Sequence, residues 1–203
     1  VATGLTLKDQ AALFALMVVA RPVTNRELKD VAGVVVDAAV RRTVNADVER
    51  VRSTKRGAVS THTLTSAGQF WCETALSAGR PDGARFPAGV LYTVLGGLGR
   101  HLERSGTKID QVFQPDLDEW VRAIYAELTI RRKPGSWVKL SAVRPWLEDT
   151  ARDEIDAALD LMVEQPDVHL MAELNQPSLT DNDRQAAVEI GGEPRHLLRI
   201  GPA

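Results

Sequence analysis

The chain has 203 residues, of which 44% are hydrophobic and 26% charged, with a formal net charge of −2. That length fits one large or two small domains with proper cores, and the balance excludes a whole-molecule attraction to nucleic acid. A single cysteine excludes an intramolecular disulfide framework and fits a reducing cytoplasm. The charge is unevenly spread: residues 1–105 hold 14 Lys and Arg against 9 Asp and Glu, residues 106–203 hold 11 against 18. A basic half joined to an acidic half predicts two surfaces with different partners.

Residues 7–20 form the first predicted helix, with Leu13, Leu16 and Met17 as a stripe, ended by Arg21-Pro22. Ala11 to Ala20, the longest apolar run, is about half of a membrane span, so no membrane contact is expected. No signal-peptide pattern opens the chain, and a cytoplasmic protein is expected. Thr24 and Glu27 stand at capping-box spacing for a helix from Asn25, with Leu28 and Val31 pointing inward. Gly33 marks a tight turn needing a positive φ. A second helix is predicted over 35–45, with Val36, Val40 and Val44 as its buried seam. Its opposite face carries Asp37, Ala38, Arg41, Arg42 and Asn45. Arg and Asn pair bidentately with guanine and adenine edges; the alternative is an ordinary solvated face.

Residues 47–53 and 59–64 flank Thr54-Lys55-Arg56-Gly57-Ala58 and read as a hairpin with a glycine in its turn. Arg50, Arg52, Lys55 and Arg56 fall on its strand and tip, where phosphate contacts give affinity without sequence information. A charged edge that discourages aggregation is the alternative. Helix, turn, helix and basic hairpin is winged helix-turn-helix order.

Residues 13–76 resemble the multiple-antibiotic-resistance-regulator (MarR) type of winged helix. The resemblance rests on NRELKDVAGVVVDAAVRRTV, the basic hairpin, and LTSAGQFW, where that family closes its wing with leucine-threonine-x-x-glycine. It implies a base-reading helix carrying Arg41, Arg42 and Asn45, and a wing carrying Arg52, Lys55 and Arg56. Val34-Val35-Val36 with Asp37 departs from the family, which often has polar DNA-contacting residues there.

A helix from Gly68 to about Ser77 follows, holding Phe70, Trp71, Cys72 and Leu76; Cys72 reads as a buried structural thiol. After a loop over 78–87, a helix is predicted over 88–104. Val90, Leu91, Val94, Leu95, Leu98 and Leu102 line its apolar face, and Gly96, Gly97 and Gly99 signal that another helix packs very close, within the chain or from a second subunit. The expected domains are 1–80, a linker with a packing or dimerisation helix over 81–115, and 116–203.

The second half predicts a helix over 116–130, a short strand near 137–140, a short helix over 142–147 and a helix over 151–164 capped by Thr150. Strands over 168–174 and 195–200 should pair, with a Thr180-capped helix between them stopped by Gly191-Gly192. The expected fold class is therefore mainly α with small β-hairpins (α+β), as tandem winged helix-turn-helix domains, the second with a helix inserted in its wing. The face with Asp153, Asp156, Asp160 and Glu164 would repel phosphate and reads as a protein-interaction or dimerisation surface. Arg131, Arg132 and Lys133 form a small basic run at a helix C-terminus, where the macrodipole favours cations.

His62, His101, His169 and His196 lack neighbours at metal-ligand spacing, and the chain shows neither a phosphate-cradling loop nor a serine elbow. No catalysis, metal or cofactor is expected. The expected function is contact with double-stranded DNA, as a transcriptional regulator or a DNA-binding subunit of a bacterial complex. The alternative is a non-catalytic interaction subunit, since tandem winged helices also resemble the small accessory subunits of chromosome-condensation complexes.

Overall fold

The computed structural model describes residues 4–56, 58–81, 83–148 and 150–201, with Arg56 described in its backbone alone. The chain divides into two compact units, one running to Pro115 and the other beginning at Asp116.

The first unit opens with α1 (Leu7–Val19), capped by a Thr6–Asp9 box. Strand β1 (Val23–Thr24) leads into α2 (Asn25–Ala32). The expected capping box is half formed. Thr24 Oγ1 accepts from the Glu27 amide at 3.2 Å, but the Glu27 carboxylate pairs with buried Arg21 instead. A full charge offers Glu27 a stronger hydrogen bond than the amide does. Leu28 is fully buried, whereas Val31, expected inward, is 65% exposed. Gly33 ends α2 with φ +67°, the left-handed turn expected of it.

Helix α3 (Ala38–Val44) is three residues shorter at its start than expected. Asp37 does not lie on its outer face but caps it, accepting from the Val40 amide at 2.8 Å. The seam of Val36, Val40 and Val44 is buried as expected. Strands β2 (Val51–Arg56) and β3 (Val59–Leu64) pair from Val51↔Leu64 to Arg56↔Val59, and β1 joins β3, giving the order β1–β3–β2. The first strand therefore starts at Val51, not near Asp47, and the expected turn glycine, Gly57, lies outside the described residues.

Helix α4 (Ser66–Ala78) begins two residues before Gly68, capped by Thr65. A Cβ on Gly68 would stand 2.4 Å from the Arg50 carbonyl oxygen and 2.5 Å from Leu64 Cδ1, so this position admits glycine alone. Helix α5 (Ala88–Ser105) packs on α4, and a Cβ on Gly99 would meet the Leu76 backbone at 3.1 Å. The close approach announced by the glycines is thus met inside the unit. Tyr92 and Leu102 of α5, and Ile109 of α6 (Ile109–Val112), belong to the first core, so residues 81–115 are part of this unit rather than a linker. Val90, Leu91 and Val94, expected on a buried face, are half or more exposed.

The second unit has α7 (Leu117–Thr129), β4 (Val138–Lys139), α8 (Leu140–Val143) with a 3-10 turn over Arg144–Leu147, α9 (Arg152–Met162), β5 (Val168–Met171), α10 (Asp181–Ala186), the hairpin β6 (Val188–Ile190) and β7 (Glu193–Arg195), and β8 (Leu197–Ile200). Its main sheet runs β4–β8–β5. In both units the short first strand pairs with the last, and the last with the middle one. Gly191 and Gly192 do not stop a helix; they turn the β6–β7 hairpin with φ +62° and +78°. Arg122 on α7 ties the unit together, reaching Asp118 and, at 2.7 Å, Asp167 ahead of β5. Asp183 accepts from Lys139 at 2.8 Å and Ser141 at 2.6 Å, which hold its carboxyl far below the usual carboxylate range.

Candidate nucleic-acid interface

Helix α3 is held at both ends by asparagine side chains acting as strand edges. Asn25 Oδ1 accepts from the Val36 amide at 2.7 Å and its Nδ2 donates to the Val36 carbonyl at 3.2 Å. At the far end, Asn45 Oδ1 accepts from the amides of Arg50 (3.0 Å) and Val51 (2.9 Å), and Nδ2 donates to the Val51 carbonyl at 2.8 Å. Each amide saturates the backbone of a buried valine that no neighbouring strand reaches on that side. Asn45 is therefore not free for bidentate base reading: its oxygen takes two backbone amides and one of its N–H groups a carbonyl, at the joint between α3 and β2.

Arg50 is corrected on the same grounds. It is 5% exposed, its guanidinium donating to the Val44 carbonyl at 2.7 Å and pairing with Asp47. Its carbonyl accepts from the Thr65 amide at 3.0 Å. Thr65 Oγ1 in turn donates to the Glu49 carbonyl at 2.6 Å and caps α4. Arg50 is thus a buried pin joining α3, the hairpin and α4.

Four of the expected cations face solvent. Arg41 and Arg42 are exposed on α3, and Lys55 and Arg52 on β2. Strand alternation separates the last two. Lys55 shares the face of Val51, Ser53 and His62, while Arg52 is on the reverse face and pairs with Glu49 at 3.6 Å. The Arg56 side chain lies outside the described residues.

His62, a residue that sequence reasoning weighed only as a metal ligand, ties the two strands of the hairpin together. It is 2% exposed; its Nδ1 lies 2.8 Å from Ser53 Oγ, and its Nε2 has no partner among the described residues. Burial first, and the Arg41 charge second, push its pKa below the ordinary value. Lys55 and His62 thus share one face of the sheet.

In the second unit Asp153, Asp160 and Glu164 are exposed, but Asp156 is drawn out of the acidic face. It pairs with Arg144 and, at 3.5 Å, with Arg152. That is a correction: Asp156 holds α9 to the turn before it.

Cys72 is fully buried and burial, with Glu73 adding, pushes its thiol up to about 12, as an inert structural thiol requires. Among the described residues no group of three or more His, Cys, Asp or Glu side chains could hold a metal ion, and no helix is long and apolar enough to cross a membrane. Comparison with protein-family models, curated proteins and solved structures matched none of them to this chain.

Proposed function

We propose that the first unit is a winged helix-turn-helix of the MarR-like kind that binds double-stranded DNA, with α3 in the major groove and the β2–β3 hairpin as its wing. The observation that carries this reading is the exposure of Arg41 and Arg42 on α3 and of Lys55 on β2, each without an ion pair among the described residues. Around them Asn25, Asn45 and Arg50 spend their polar groups on rigidity, so the exposed cations stand on a fixed frame. Arg52 is a weaker contributor because Glu49 competes for it. The role is that of a transcriptional regulator or a DNA-binding subunit of a bacterial complex, without catalysis.

The test is fluorescence anisotropy of mixed-sequence duplex DNA against the full chain and its Arg41→Ala, Arg42→Ala, Lys55→Ala variant. Binding that falls with the three cations supports the reading; equal affinity overturns it.

A second reading rests on α9, where Leu161 is 67% exposed beside Asp160 and Glu164. An apolar side chain inside an acidic surface suits a basic, amphipathic partner chain, as an interaction subunit built from tandem winged helices would need. Leu161→Ser with Asp160→Lys would then abolish a protein complex while leaving DNA binding unchanged.

A further inference from the structure

We propose that the second unit carries a nucleic-acid contact of its own: the turn after α7, together with Trp137 and Arg199, binds a single strand through its phosphates and stacks one unpaired base. This does not rest on the reading of α3 and its hairpin.

The turn brings together what is scattered in sequence. Arg131, Arg132 and Lys133 are exposed immediately after α7. Arg132 Nη1 donates to the Trp137 carbonyl at 3.3 Å, and the Arg199 guanidinium lies 5.1 Å from the centre of the Trp137 ring. The Arg199 chain passes along Gly135, whose added Cβ would lie 3.9 Å from Arg199 Cδ. Residues from the turn and from β8 therefore meet on one tryptophan.

The turn is stiff. Ser136 hydrogen-bonds the Lys133 carbonyl through both its amide (3.2 Å) and its hydroxyl (2.6 Å), and Tyr125 Oη donates to the Ser136 carbonyl at 2.8 Å. Gly135 takes φ +69° within it.

Among the described residues no carboxylate pairs with Arg131, Arg132, Lys133 or Arg199, in the half of the chain that carries the excess of acid. Arg199 Nε and His169 Nε2, on register partners of the β5–β8 pair, are buried without acceptors or donors. The ring face of Trp137 is thus the main anchor of the Arg199 guanidinium. A guanidinium held over a tryptophan face leaves a planar group for a base and N–H groups for phosphate. Sequence-tolerant single-strand binding uses this combination of cationic track and stacking platform. An acidic peptide lacks the broad aromatic face that a base brings to the guanidinium.

The experiment measures anisotropy of a short labelled DNA strand bound by the full chain already carrying Arg41→Ala, Arg42→Ala and Lys55→Ala. Single-strand binding should persist there. Adding Arg131→Ala, Arg132→Ala and Lys133→Ala should then flatten the slope of log affinity against log salt by about 2, at roughly 0.7 for each phosphate no longer neutralised. If those changes lower the melting temperature, Arg131→Glu with Lys133→Glu, two side chains without hydrogen bonds among the described residues, repeats the test. Arg199→Lys should weaken single-strand binding and leave the salt slope unchanged. An unchanged slope, duplex bound as tightly as single strand, or tighter binding to a polyglutamate peptide or to phosphatidylserine vesicles each overturns the proposal. Loss of duplex binding in the starting variant reports on the first unit alone.

Discussion

Replacing Asn45 by alanine separates a joint from a base reader. The side chain makes three hydrogen bonds, to the Arg50 amide and to both backbone groups of Val51, which is 1% exposed. At about 1 kcal/mol net for each bond, the loss is about 3 kcal/mol. For a unit of this size that lowers the first melting transition by about 12 °C, taking about 4 °C per kcal/mol. Asn45→Asp keeps both accepted bonds but turns a carboxylate oxygen toward the Val51 carbonyl where Nδ2 donated, so it too should destabilise the unit, by more than the about 1 kcal/mol of the lost bond. Thermal and urea unfolding of the two variants supply the measurement. If Asn45→Ala unfolds like the wild type and instead changes which duplex sequences are bound, the assignment of Asn45 to the joint is wrong.

Other positions give equally direct outcomes. Gly68→Ala drives a Cβ against the Arg50 carbonyl at 2.4 Å and should destabilise the first unit by about 3 kcal/mol, the upper end of overpacking costs, in urea unfolding. Gly97→Ala meets nothing closer than the end of Arg100 at 3.8 Å and should stabilise α5 by about 1 kcal/mol in the same assay. The folded-state pKa of His62 lies below its unfolded value near 6.5, so the unfolded chain takes up the proton first. The stability His62 contributes is complete above 6.5 and is lost as pH falls through its folded pKa; urea midpoints compared above and below that window should converge between wild type and His62→Gln at the acid end.

The elements of the first unit were legible where the signal is local. Thr24, Gly33 and the β-branched run of residues 59–64 act within a few residues, and the structure follows them. The start of α3 was not, because the groups that fix Val36 lie on Asn25, eleven positions away, and no periodicity records that clamp. Arg50 looks like every other arginine of the hairpin in sequence; its burial is decided by the Val44 carbonyl and Asp47 in three dimensions. The glycines of α5 announced a close neighbour, and only packing identifies it as Leu76. The Trp137–Arg199 stack joins residues 62 positions apart and leaves no trace in spacing.

The salt dependence of duplex binding tests the central claim most directly. If Arg41, Arg42 and Lys55 each neutralise a phosphate, the slope of log affinity against log salt is about −3, at roughly 0.9 per phosphate, and falls toward zero when the three become alanine. A wild-type slope near zero, or one that survives the triple substitution, contradicts the account.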